Sequence, residues 1–297
     1  MPELPEVETV CRGLNQLTQG KVIWDGDVLR ESTIAHPFPV EVFLTGLKGM
    51  RICRWYRRGK YLLAELKAEV SQKTPEITFL ESSIPDAESS LLGVHLRMTG
   101  QLLVLPQDTP LQKHTRVRLF LPDGQELRFV DQRCFGQMWW VPPQVDACAI
   151  ISGLGNLGPE PFSEDFSLEY FTKRLQRTRR PIKTSLLDQT IVAGVGNIYA
   201  DEALFLAKVS PTKICSNLNV KEVERLRIAI IEVLEKAIAA GGSTIRNYVS
   251  VKGVNGNYAG MAWVYNRAGE PCRVCSTKVD KIRLAGRSCH FCPSCQM

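Results

Sequence analysis

Apolar residues at Val7, Val10, Cys11, Leu14 and Leu17 recur every three or four positions, a spacing that lines one helix face and predicts a helix near the N-terminus. From residue 21 to 141 the period drops to two. Short β-branched and aromatic runs alternate there with turn residues, most plainly in Val117-Leu119-Leu121, Pro122-Asp123-Gly124 and Leu127-Phe129, and predict an antiparallel β domain. Inside it, Ala68–Ser90 is polar, rich in Ser and Glu and without period, the pattern of an inserted surface loop. Residues 142–161 gather Pro142, Pro143, Gly153, Gly155, Gly158, Pro159 and Pro161 and are expected to form a linker. Beyond them the helical period returns. Ser167 is placed to cap a helix running to about Arg177, and Pro181 to start another. Asn219 would cap a long helix with Val223, Leu226, Ile230, Leu234 and Ile238 on its apolar face, ended by Gly241-Gly242.

Length and charge narrow the picture. With 297 residues, 44% of them hydrophobic, the chain has enough apolar surface for two domains with separate cores. No apolar run reaches the roughly 18–20 residues of a membrane span. The acidic, helical start is neither a secretory signal nor an Arg-rich transit peptide, so a cytoplasmic location is expected. The net charge of +6 is unevenly spread: from residue 165 onward 20 Lys/Arg stand against 11 Asp/Glu, while residues 1–164 carry 17 against 20. The C-terminal half is therefore expected to face a polyanion. The basic clusters Arg51–Lys60 and Lys173–Lys183 fit either that role or solvated faces.

The ten cysteines divide into two groups. Cys11, Cys53, Cys134, Cys148 and Cys215 are scattered, whereas five crowd between 272 and 295, as expected for buried thiols plus a metal site in a reducing compartment. Cys272-x2-Cys275, sixteen residues and Cys292-x2-Cys295 match a four-thiolate zinc ribbon, whose closed coordination makes the metal structural. Cys289-x2-Cys292 has the same spacing and His290 is a possible ligand; the outer pair is preferred because Pro293 lies inside its turn. The intervening Arg273, Lys278, Lys281, Arg283 and Arg287 suit phosphate contacts.

Two further features carry chemistry. Removal of Met1 would expose the secondary amine of Pro2, a nucleophile near neutral pH whose attack on a sugar or carbonyl carbon ends in an iminium, with Glu3 and Glu6 beside it. The turn Ala193-Gly194-Val195-Gly196-Asn197 feeds a helix whose first free amides, with Asn197 as cap, are placed to hold a phosphate or simply to connect two helices tightly.

Taken in order, PELPEVE at the start, RRGKYLL at 57–63, HLRMTG at 95–100, DQRCFG at 131–136, GVGNIYADE at 194–202 and the terminal zinc ribbon resemble the formamidopyrimidine-DNA glycosylase family over the whole chain. The resemblance implies an α+β multidomain fold. Its parts are an N-terminal antiparallel β-sandwich with flanking helices over 2–141, the linker 142–161, a helix–two-turn–helix domain with a lesion-covering loop over 162–261, and a zinc-finger hairpin over 262–297. It also implies excision of oxidised purines from double-stranded DNA, cleavage of the abasic site, one structural Zn2+ on Cys272, Cys275, Cys292 and Cys295, and a monomer.

On the same resemblance Pro2 is the nucleophile, Glu3 the general acid/base and Lys60 a phosphate-contacting lysine of the catalytic set. His95, Lys183, Asn197 and Arg287 would bind the DNA backbone. Met98, Arg133 and Phe135 would enter the vacated stack, with Arg133 facing the orphaned cytosine. Cys134 stands where a basic residue is usual, Cys289 where Thr is usual, and Asn266 replaces a Gly. The alternatives are a zinc-ribbon DNA-binding protein without chemistry, which would not need Pro2 and Glu3, and the endonuclease-VIII-like branch acting on oxidised pyrimidines.

Overall fold

The computed structural model describes residues 1–69, 89–243, 251 and 256–296. Most of the expected insertion between Ala68 and Ser90, and part of the loop from Val251 to Met261, lie outside the described residues. The chain divides into two compact units: one holds Met1–Pro2 and Val7–Gly155, the other Glu3–Glu6 and the described residues from Asn156 onward, Val251 excepted.

Helix α1 (Leu4–Thr18) buries Val7, Val10, Cys11 and Leu14 of its predicted stripe in the first unit's core. The strands there are β1 (Val22–Ile23), β2 (Asp25–Val28), β3 (Ile34–His36), β4 (Met50–Arg58), β5 (Tyr61–Ala68), β6 (Ser90–His95), β7 (Gly100–Pro106), β8 (Thr115–Leu121), β9 (Gln125–Asp131) and β10 (Gln137–Val141), with α2 (Val40–Leu47) between β3 and β4. They form two sheets, ordered β1-β4-β5-β6-β10-β3 and β2-β8-β9-β7. Side chains from both sheets, such as Leu62, Leu92 and Val94 from one and Val117, Leu119 and Phe129 from the other, share a single core with Phe43 and Leu47 of α2. In β8 the alternating period is the cause, since it gives the strand one apolar face, whereas β5 and β6 are buried along most of their length. Pairing is antiparallel throughout except that β3 lies parallel to β10, which a hairpin pattern does not foretell. At the β8–β9 turn Asp123 and Gly124 both take positive φ, 59° and 64°, a conformation that Asp-Gly tolerates.

Register decides what the loops can do. Gly100 pairs with Asp131, His95 with Gln137, and Tyr61 with His95. The β6–β7 loop (96–99), the β9–β10 loop (132–136) and the Lys60 turn between β4 and β5 therefore open from one edge.

The segment expected to be a linker holds two single-turn helices, α3 (Ala147–Ile150), N-capped by the Asp146 side chain, and α4 (Ser152–Gly155). Ile151 and Leu154 are buried, so its few apolar residues outweigh the breakers around them.

The second unit is helical. Its helices are α5 (Leu168–Gln176), α6 (Ile182–Leu186), α7 (Asn197–Leu206), α8 (Val220–Ala239) and α9 (Tyr258–Met261), followed by the hairpin β11 (Asp280–Leu284) and β12 (Arg287–Phe291). Ser167 accepts from Tyr170 N, and Asn219 forms a reciprocal capping box with Glu222, as their positions predict. Val223, Leu226, Ile230 and Leu234 of α8 pack on Leu4, Tyr199, Ala203 and Leu204. No helix among the described residues is long and apolar enough to cross a membrane.

Candidate active site

In the first unit the common loop edge collects Lys60, His95, Met98, Arg133 and Phe135. Lys60 and His95 are each 7% exposed, whereas Phe135 is 52% exposed and Arg133 is also exposed. Met98 is half-buried. Arg133 lies over the Phe135 ring, 4.8 Å from its centroid. An aromatic ring thus stands in solvent with a guanidinium stacked on it. Burial, with the charges of Arg97 and Lys60 adding to it, pushes the His95 pKa down to about 3. Its Nδ1 accepts from Arg97 N at 3.0 Å, so the ring is a neutral Nε2–H donor.

Pro2, at the head of the chain, is buried while Met1 is 45% exposed. Glu3 follows it, 2% exposed and seated on the first turn of α7, where Ile198 N and Tyr199 N donate to its carboxylate at 3.0 and 3.4 Å. The amides read as a phosphate site are therefore taken by a side chain of the protein. Helix N-termini favour a carboxylate for the reason they favour a phosphate, and here the carboxylate is built in. The residue at the cap is Gly196 rather than Asn197, and a Cβ there would lie 2.2 Å from Glu3 Cδ. That contact explains the glycine. Glu6, 1% exposed, accepts from Glu3 N at 2.7 Å, from Ser243 N at 2.7 Å and from the Tyr199 hydroxyl. Burial, then the charge of Glu3, raises its pKa to about 7.

Lys183 is buried, not solvated. Its side chain is 1% exposed, with Nζ 2.6 Å from Asp201 Oδ1 and donating to Ser288 O at 2.5 Å. The other Asp201 oxygen accepts from His290 N at 2.9 Å. Lys183 thus fastens β12 to α7 instead of standing free for a phosphate. Asn197 Nδ2 donates to Ser288 Oγ at 3.3 Å, and Arg287 at the start of β12 is exposed.

The Sγ atoms of Cys272, Cys275, Cys292 and Cys295 all lie within 4.8 Å of one another, with separations of 3.4 to 4.0 Å among those in contact. A tetrahedron with Zn–S bonds of about 2.3 Å has edges of about 3.8 Å, so the four sulfurs fit one zinc ion. Cys289 is instead fully buried and His290 turns Nδ1 to Asp201 at 3.2 Å, which leaves the outer cysteine pair as the site.

Three family models match in chain order: the formamidopyrimidine-DNA glycosylase N-terminal domain over residues 1–138, its H2TH domain over 157–249, and the zinc finger found in FPG and IleRS over 269–296. The chain belongs to the formamidopyrimidine-DNA glycosylase family. A formamidopyrimidine-DNA glycosylase of Nostoc sp. is 59% identical over 297 residues, covering 100% of both chains. Among solved structures, a Lactococcus lactis FPG mutant bound to Fapy-dG-containing DNA matches with a TM-score of 0.86 at 36% identity, covering 100% of both chains. MutM (FPG) from Thermus thermophilus matches at 0.83 and 37%, covering 99% of this chain and 98% of that one. A MutM complex with carbocyclic 8-oxo-G DNA matches at 0.85 and 36%, covering 100% of both.

Sequence reading passed over Tyr199, Asp201 and Glu202 as site-building residues. All three lie on α7 and are essentially buried. Glu202 accepts from Trp263, Val264 and Tyr265 N at 2.7 to 3.0 Å, fixing the segment that leads to the zinc hairpin. The available signal was a pair of acids inside an otherwise apolar helix.

Proposed function

We propose that this member of the formamidopyrimidine-DNA glycosylase family excises oxidised purines, 8-oxoguanine and formamidopyrimidines, from duplex DNA and then cleaves the abasic site, in base excision repair. The observation that carries the reading is Glu3: a buried carboxylate next in the chain to Pro2 and held by the amides of α7. A binding module has no use for that pair.

The chemistry follows from the groups. With Met1 removed, the Pro2 amine attacks the anomeric carbon of the extruded nucleotide, and Glu3 protonates the sugar ring oxygen as the base departs. The iminium acidifies the adjacent sugar hydrogens, so β- and then δ-elimination release the 3′ and 5′ phosphates. Lys60, His95, Asn197 and Arg287 hold the phosphates, while Met98, Arg133 and Phe135 fill the vacated stack and make extrusion less costly. Zinc, when bound, would be held by the thiolates of Cys272, Cys275, Cys292 and Cys295 and would organise the hairpin that carries Arg287.

Borohydride trapping tests the reading. Protein should crosslink to lesion-containing duplex, with the adduct mapped to Pro2; an adduct on Lys60, or full activity with Met1 retained, would overturn it. Glu3→Gln should bind lesion DNA but lose base excision.

A further inference from the structure

The loop holding Met98 and the loop holding Arg133 and Phe135 are joined by Thr99 and Asp131, two motif side chains that the chemistry above does not use. Asp131, the last residue of β9, is 1% exposed. Its Oδ1 accepts from the Thr99 hydroxyl and from Arg133 N, the latter at 3.1 Å, and its Oδ2 accepts from Gly136 N at 2.7 Å. Thr99 Oγ1 in turn accepts from Arg133 N at 3.0 Å. One buried carboxylate and one hydroxyl thus fix both ends of 133–136 and tie them to the turn that follows Met98. Arg97 donates to Gln137 Oε1 at 3.0 Å, a second link between the same loops. Behind them Gly136 admits no Cβ, which would lie 2.5 Å from Phe129 Cζ, so the loop is pressed onto the core as well as tethered.

Loops placed only by backbone drift, and a base-reading contact fails when misplaced by about 1 Å. Three donors on one buried acid define a single loop geometry, because each would be left unsatisfied in any other. We propose that Asp131 and Thr99 are positioning residues for opposite-base recognition: their hydrogen bonds hold the Arg133 backbone where its guanidinium meets the orphaned base, and thereby set the preference for cytosine over adenine. The proposal rests on the reading of Arg133 as the group that meets that base.

Thr99→Val removes the hydroxyl and keeps the shape, while Thr99→Ser keeps the hydroxyl. Single-turnover excision of 8-oxoguanine opposite cytosine and opposite adenine should show the cytosine preference reduced about tenfold in Thr99→Val and retained in Thr99→Ser. Arg133→Ala, run in parallel, separates the two failures. If Arg133→Ala lowers the ratio and Thr99→Val does not, or if Thr99→Val slows both substrates equally, the tether is refuted while Arg133 keeps its role. If Arg133→Ala leaves the ratio unchanged, the reading of Arg133 fails and the proposal falls with it. Should Thr99→Val fold poorly, amide exchange over residues 132–136 in Thr99→Ala decides: faster exchange there than in the rest of the β-sandwich supports the tether, and unchanged exchange overturns it.

Discussion

His95 illustrates how one residue's surroundings decide its charge. A histidine in a DNA-binding motif is easily read as a cation, yet burial pushes its pKa down to about 3 and leaves a neutral ring. A neutral donor releases no counterion. His95→Ala should therefore weaken duplex binding with the salt slope unchanged, whereas Arg287→Ala should weaken it and flatten log Kd against log[salt] by about 0.9, one phosphate's share. Titrations at several salt concentrations check both; a flatter slope for His95→Ala would mean that the ring is charged when bound. The residue types were legible in order along the motifs, and the four cysteines lie together as their paired spacing requires. Their environments were not, because burial and charge come from segments distant in sequence.

At the scale of elements, the turn into α7 shows where local reading stops. Gly194-Val195-Gly196 looks like a phosphate loop because glycines and a helix N-terminus are what such a loop needs. Only the fold reveals that a carboxylate 193 residues earlier fills it. Replacing Gly196 by Ala should displace Glu3 and lower base excision by about a hundredfold or more, since general acid catalysis supplies about 10²–10⁴-fold. Single-turnover rates on 8-oxoguanine duplex check this. The hairpin β11–β12 depends on two separate supports. Cys275→Ser should lose zinc and weaken binding to all duplexes, lesion or not, as read by metal analysis and binding titrations. Lys183→Ala should keep the zinc but leave the buried Asp201 carboxylate without its lysine partner, held by His290, a change that costs about 3–5 kcal/mol. Chemical denaturation of the zinc-loaded protein measures it.

For the whole molecule, two buried groups give opposite pH dependences. Glu6 has its pKa raised from 4.5 to about 7, so its protonated form is favoured in the fold. The stability this contributes is complete below about pH 4.5 and lost as pH rises through 7, roughly 3 kcal/mol in all. His95 has its pKa lowered from 6.5 to about 3, so its contribution is present above pH 6.5 and lost as pH falls toward 3. Between about pH 4.5 and 6.5 the two slopes oppose each other. Glu6→Gln should make stability rise more steeply with pH in that window, and His95→Gln should make it fall; denaturation midpoints across the range check the signs. On substrates, excision of 8-oxoguanine opposite cytosine should exceed that opposite adenine by roughly one to two orders of magnitude, because a good bidentate match is worth ~1–3 kcal/mol. Faster removal of thymine glycol would move the chain to the pyrimidine-directed branch.

What the sequence determined by itself was whatever is encoded over a few residues. The helix stripe from Val7 to Leu14, the Asp123-Gly124 turn, the Ser167 and Asn219 caps and the paired cysteine spacings all depend on local periodicity, capping or ligand reach. Tertiary structure decided the rest. That β3 runs parallel to β10, that Lys183 faces Asp201 instead of solvent, that Glu3 occupies the α7 amides and that Asp131 links two loops are matters of strand register and packing. These bring together groups separated by tens to hundreds of positions, and no pattern within a short window specifies which distant partner a buried charge will find.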